Sequence, residues 1–299
     1  MHRRHLLIAL AALPAAVRSR AAPVQPGRVL TFPRDHGSHP DARTEWWYAT
    51  GWLAPPGEDE PRFGFQVTFF RSRTDVAAGH PSRFAATQLV FAHTALTDLA
   101  GRRLHHDQRI ARAGFDIAGT DEHDTGVLLR DWSFERRGAP GASVYHARLA
   151  SDAAGFAFEL ELAATQPLLL QGEAGFSRKG PRPEQASHYY SQPQLAVGGT
   201  LVRDGRAQAV QGRAWLDHEW SEAILDPEAV GWDWIGMNLL DGGALTAFRL
   251  RRADGSTLYA GGSLRRAGAV PRSFAPDELR FTPGDSWVSP ASRARRPGS

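Results

Sequence analysis

Residues 212–221 read GRAWLDHEWS, and three of them could move protons: Asp217, His218 and Glu219 stand in a row between Trp215 and Trp220. Charged groups seldom sit among large apolar ones unless they are paired or used. A carboxyl walled in by indoles loses solvation as an anion and keeps its proton longer, which makes it a candidate general acid. On a strand, Asp217 and Glu219 share a face with Trp215, while Leu216, His218 and Trp220 point the other way. The plainer alternative is a structural ion pair, in which His218 or a nearby arginine neutralises a carboxylate.

Two more clusters have the same flavour. In HPDARTEWWYATGWL (39–53), alternation puts Glu45 and Trp47 on one face and Trp46, Tyr48 and Trp52 on the other. This is either an aromatic-rich barrel strand with Glu45 at its rim, or a cavity wall with Glu45 or Tyr48 as polar handles. In GWDWIGMNL (231–239), Trp232 and Trp234 share a face and Asp233 opposes them. Core packing competes there with ligand binding. Nine tryptophans against two methionines favour a lined cavity somewhere in the chain.

Other chemistries have less to stand on. His36 and His39 are three apart, His105 and His106 adjacent, and His93, His188 and His218 scattered, so no pair has a zincin-like spacing. We expect neither a functional metal nor a cofactor. No glycine-rich phosphate loop or nucleophile elbow stands out. The absence of cysteine excludes disulfides, thiolate ligands and a cysteine nucleophile.

The elements that must position these residues read as strands. RFGFQVTFFR (62–71) sets Phe63, Phe65, Val67 and Phe69 on one face, and 143–150, 155–164 and 245–262 alternate similarly. Asp-Gly pairs at 204–205 and 254–255 mark hairpins. No long segment past the start keeps a helical apolar stripe, so the fold class is all-β, a barrel or sandwich. Residues 175–194 are polar and turn-rich and separate two strand-rich halves, placing a domain boundary near 193.

The first 21 residues, with a basic start, an apolar run from Leu6 to Ala16 and a small-residue exit, predict an export signal, Sec or twin-arginine. The protein is then periplasmic or secreted. Those residues hold four arginines and no acid, so the formal charge of +3 becomes −1 without them. The basic balance therefore predicts no nucleic-acid partner.

HPDARTEWWYATGWL, HYYSQPQL (188–195), GRAWLDHEWS and WDWIGMNLLDGGALTAFRLR (232–251), in that order, resemble the lipocalin-like AttH and carotenoid 1,2-hydratase family, from about residue 30 to the end. Its exported members are often called predicted secreted hydrolases. The resemblance implies two lipocalin-like antiparallel β-barrel domains, residues 22–192 and 193–299. The family continues past WVSP with further strands, so the second barrel is expected to be incomplete at the C-terminus. The resemblance also implies an apolar, isoprenoid or lipid-like ligand. Peripheral contact with a membrane is expected beside it, and no protein partner is predicted. In the hydratase branch water adds to a terminal alkene without a cofactor. A His-x-Trp pair tied to that activity maps onto His218 and Trp220, preceded by Asp217, and Asp233 is a counterpart for a downstream aspartate.

The catalytic candidates are thus Asp217 as acid, Trp220 for the carbocation, His218 to orient water or acid, and Glu219 with Glu45 as bases. The candidate ligand-binding residues are Glu45, Trp46, Trp47, Tyr48, Tyr190, Trp215, Trp232, Asp233 and Trp234. These groups are expected to line the inside of a hollow barrel. Two alternatives stay open: a carrier of a hydrophobic ligand without chemistry, and a glycosidase-like hydrolase, which would need Glu45 facing Asp217 across a groove.

Overall fold

The computed structural model describes residues 24–299 except 223, 224, 283, 291, 292, 294, 298 and 299. The expected export signal lies outside the described residues. Strands in chain order are β1 (Thr44–Ala54), β2 (Phe63–Arg73), β3 (Gln88–Asp98), β4 (Arg103–Arg112), β5 (Ala118–Thr120), β6 (Gly126–Leu129), β7 (Trp132–Arg137), β8 (Val144–Ser151) and β9 (Phe156–Ala163). They continue with β10 (Leu169–Leu170), β11 (Phe176–Arg178), β12 (Ala186–Arg203), β13 (Arg206–Ser221), β14 (Gly231–Asn238), β15 (Ala244–Arg251), β16 (Thr257–Arg265), β17 (Arg272–Phe274), β18 (Ser286–Val288) and β19 (Arg295–Pro297). Among the described residues the only helical turns are two short 3₁₀ segments, so the chain is all-β.

Thirteen strands form one antiparallel sheet whose main path runs β4-β3-β2-β1-β13-β12-β9-β8-β7-β6-β5. The sheet curls until its margins meet. Asp107 on β4 accepts a hydrogen bond from Ser151 at the end of β8 (2.8 Å). Arg109, also on β4, lies over the Trp132 ring and donates to the Ala150 carbonyl. The result is a nearly closed, lipocalin-like barrel.

Its interior is filled. Trp47, Phe65, Phe69, Trp132, Phe134, Tyr145 and Phe158 are all buried within one core. Side-chain alternation explains this: Phe156, Phe158, Leu160 and Leu162 of β9 point in, and Glu159 and Glu161 point out. Where the sequence predicts a hollow barrel, the described residues place large aromatic side chains from facing strands in the interior, packed into one core.

β12 and β13 form a long hairpin closed at Asp204-Gly205, both with positive φ, as the Asp-Gly signal predicts. β12 carries a bulge between Gln192 and Leu195. Before it the strand pairs with β10 and β11, and after it with β9. The expected change of domain at residue 193 falls inside this strand, at the bulge.

A second sheet, β14-β15-β16-β17, packs on the outer face of the first, and β18 and β19 pair with each other. The bulge residue Gln194 ties the sheets together. Its amide donates to the carbonyls of Leu239 and Gly243, and its backbone N–H donates to Asn238. Asn238 in turn donates to the Ala214 carbonyl of β13.

Candidate functional site between two sheets

Because successive strand residues face opposite ways, the β1–β13 pair presents two different surfaces. On the outer one, Tyr48 is the cross-strand partner of Asp217, and Trp46 of Glu219. The second sheet roofs this surface and leaves a cavity of about 510 Å³. Its walls carry Trp46, Tyr48, Phe70, Phe91, Tyr189, Trp232, Trp234 and Phe248. The rings brace one another. Tyr48 meets Trp234 edge to face at 5.7 Å, Phe70 stacks on Phe91 at 4.6 Å, and the Trp234 indole donates to the Tyr189 hydroxyl. Gly236 leaves the rings room, since a Cβ there would sit 2.5 Å from the Trp234 ring and 3.1 Å from Trp215.

Two carboxyls face this apolar space, and their partners differ. Asp217 accepts from the Ser191 hydroxyl (2.6 Å) and the Trp215 indole (2.7 Å), both neutral donors. Burial disfavours its anion and pushes it up to about 7, against the lowering effect of those bonds and with some help from the charge of Glu219. Glu219 is paired with the Lys179 ammonium at 2.9 Å and accepts from Ser187. Lys179 also lies over the Tyr189 and Phe248 rings, at 4.5 and 4.4 Å. Tyr189 stays a phenol, because burial and then the Asp217 and Glu219 charges raise it well above its ordinary value.

The inner surface of the same strands holds a closed polar cluster. Glu45 Oε1 accepts from His39 Nδ1 (2.7 Å) and His218 Nε2 (3.0 Å), and Oε2 accepts from Arg71 (2.8 Å). His39 Nε2 lies 2.9 Å from Asp35, so the ring bridges two carboxyls. Tyr190 bridges His218 Nδ1 (3.0 Å) and His36 Nδ1 (2.8 Å). Burial lowers His218 and takes His36 down to about 2, which leaves both rings neutral. The pattern then assigns the proton to Nε2 of His218 and Nδ1 of His36, with Tyr190 donating to His218. Burial alone would raise Glu45, but the bonds from His218 and His39 outweigh it and hold the carboxyl below its usual range.

His39 stacks on Trp220 (3.7 Å, 5°), and Trp47 stacks on His218 (4.7 Å). His39, Glu45 and His218 bring one atom each within 4.8 Å of one another, a spacing a metal ion could use. Those atoms already bond each other, and Arg71 holds the remaining oxygen, so every donor in the trio has a partner. A second, polar recess of about 280 Å³ opens beside Trp220, His39, His188 and Arg28.

The structure thus sorts the sequence candidates by face. Asp217, Glu219, Trp46, Tyr48, Trp232 and Trp234 meet in the cavity. Trp215 stands at its edge, bonded to Asp217 and packed on Trp234. His218, Trp220, Glu45, Trp47 and Tyr190 lie behind the sheet, so Glu45 does not face Asp217 across a groove. Asp233 points away and is paired with Arg249 and Arg251.

Sequence reading missed Lys179 and Tyr189, which sat in a stretch read as a polar linker. It also missed Phe70 and Phe91, for which a signal existed. Each is a large ring on the face its strand otherwise leaves to smaller or polar residues, the mark of a strand covered on both sides.

No curated protein matches the sequence. Among solved structures, one designated an AttH from Nitrosomonas europaea is similar with a TM-score of 0.83 at 48% identity, covering 92% of this chain and 82% of that one. Kievitone hydratase from Nectria haematococca shares the fold with a TM-score of 0.65 at 13% identity, covering 93% of this chain and 78% of that one. The sequence profile of the AttH-like family matches residues 23–299, and the chain belongs to that family.

Proposed function

We propose that this protein is a cofactor-free hydratase that adds water to an alkene of an apolar, isoprenoid-like substrate held between its two sheets. The observation that carries this reading is Asp217, a carboxyl only 3% exposed, with neutral hydrogen-bond donors, on the wall of an aromatic cavity. An isolated alkene is a weak base, and a dry acid that keeps its proton near neutral pH is what protonates it. The cation so formed faces Trp46, Trp232 and Trp234, each ring stabilising it by roughly 0.5–2 kcal/mol. Water then adds, and Glu219 on the same wall takes its proton. Likeness to a hydratase supports the reaction class.

His218 and Trp220 enter this reading as supports of the strand that carries Asp217. Trp232 and Leu225 line the cavity and are 58% and 41% exposed, which suits entry of an apolar substrate from a membrane surface. The work is done after export, in the periplasm or outside the cell.

The test is incubation with geraniol, farnesol and the acyclic carotenoid lycopene in water labelled with heavy oxygen. The expected product is a labelled tertiary alcohol, lost in Asp217→Asn. Tight binding of all three with no labelled product would leave a carrier in place of an enzyme.

A further inference from the structure

Asp217 and Glu219 are two residues apart on one strand face, so their side chains stand roughly 6.5–7 Å apart. They share one dry wall, yet the charged group beside them contacts only one. Lys179 Nζ is 2.9 Å from Glu219, and Asp217 has only hydroxyl and indole donors. Lys179 is itself held in place, its ammonium over the faces of Tyr189 and Phe248 and its backbone N–H bonded to the Gln185 carbonyl.

We propose that Lys179 is the positioning residue that divides this carboxyl pair, placing its positive charge against Glu219 as the base and leaving Asp217, which has no cation partner, as the acid. The inference rests on the hydration reading. Two carboxyls with no such division would compete for one proton, and neither role would be fixed. In the forward step Asp217 gives its proton to one alkene carbon. The π bond breaks, a C–H bond forms, and the other carbon becomes the cation. Water oxygen bonds to that carbon, and Glu219 takes the proton the water sheds. The net change is addition of one water. Asp217 regains a proton from solvent, and Glu219 releases its own, once product leaves. Lys179, which also lines the cavity, acts through Glu219 in this scheme.

The test compares wild type, Lys179→Met and Lys179→Arg, with farnesol as probe. Lys179→Met is expected to lose roughly 100-fold in kcat near neutral pH, the scale of a general base. Its acid limb should move to higher pH, because Glu219 without its cation holds a proton longer. Lys179→Arg, which keeps the charge, should restore much of the rate and the position of the limb. A merely structural role would lower thermal stability and leave the limb in place, and that result overturns the proposal.

Infrared difference spectra against Glu219→Gln read the carboxyl directly and need no substrate. Lys179→Met should show a protonated Glu219 at a pH where wild type shows a carboxylate. If Glu219 is ionised equally in both, the inference fails even where hydration is real. If the spectra change and wild type hydrates nothing, the hydration reading fails and the division of the pair stands.

Discussion

Tyr48 on β1 stands directly opposite Asp217 on β13, and the next residues along, Trp47 and His218, are cross-strand partners facing the other way. One strand pair therefore builds two environments: an aromatic cavity outside and a buried hydrogen-bonded cluster inside. A slip of one residue would exchange them, putting His218 in the cavity and Asp217 in the core. The inner cluster opposes that slip. His218 must meet Glu45 and Tyr190 at the same time, and only the observed register allows it.

Asp217→Asn separates the catalytic from the structural part of this arrangement. Turnover should fall by about 10²–10⁴, the usual worth of a general acid, with binding of an apolar probe kept. Stability should move the opposite way. The folded-state value of Asp217, about 7, lies above its ordinary 3.8. The folded protein therefore binds the extra proton between those values, and stability falls as pH rises from about 4 to about 7. The loss is on the order of a few kcal/mol at about 1.4 kcal/mol per unit. Asparagine cannot ionise, so the variant should melt above wild type at pH 8 and near it at pH 4. Equal pH dependence in the two proteins would show that Asp217 titrates normally.

The two faces were legible in the sequence, because alternation alone separates Asp217 and Glu219 from His218 and Trp220. What alternation cannot say is which face is covered by what. Phe65 and Phe69 of β2, Phe134 of β7, and Phe156 and Phe158 of β9 fill the barrel interior, and that depends on how far the sheet curls, a property of eleven strands together. The cavity needs the second sheet to land on the outer face, and that docking runs through Gln194 at a bulge and Asn238 at a strand end. Lys179 is separated from Glu219 by 40 positions, and no local pattern joins them.

The inner cluster gives a different pH signature. Asp35 is held at about 2: burial would raise it, but His39, the Thr31 N–H and Arg28 prevail. Glu45 is also held below its usual range. Depressed carboxyls contribute stability that is present above their unfolded values and lost as pH falls toward the folded ones. Wild type should therefore weaken below about pH 4, and His39→Gln should flatten that acid limb while leaving the limb between pH 4 and 7. Arg71→Met leaves Glu45 buried without its cation and should cost about 3–5 kcal/mol by urea titration. An Arg71→Met, Glu45→Met pair should recover part of that loss.

Gly236 tests the cavity without touching a polar group. A methyl at this position would lie 2.5 Å from the Trp234 ring and 3.1 Å from Trp215, so the Trp234 ring must shift. Gly236→Ala should push Trp234 into the cavity. An overpacked contact of this kind costs about 1–3 kcal/mol, so the fold should survive while affinity for an apolar fluorescent probe drops. Unchanged affinity would move the ligand site away from Trp234.

Gln194 tests whether the cavity depends on the docking of the second sheet. Its amide donates to two backbone carbonyls, those of Leu239 and Gly243, each at 2.9 Å, and the Gly243 contact is buried. Each carbonyl also accepts a backbone N–H, Gly243 from Leu239 and Leu239 from Gly242, so Gln194→Ala removes one of two bonds at each, at about 0.5–1.5 kcal/mol per lost bond. The barrel core shares no atoms with this clamp, so the loss should be local. Hydrogen exchange should speed up across residues 231–265 and stay slow in β1, β2 and β9. Probe affinity should fall with it, because the roof over Asp217 would open and admit water to the carboxyl. The pH-dependent destabilisation assigned to Asp217 should shrink in the same variant, since a hydrated carboxyl returns toward its ordinary value. Faster exchange throughout the barrel would instead mean that the two sheets fold as one unit, and the clamp would then be a part of the core.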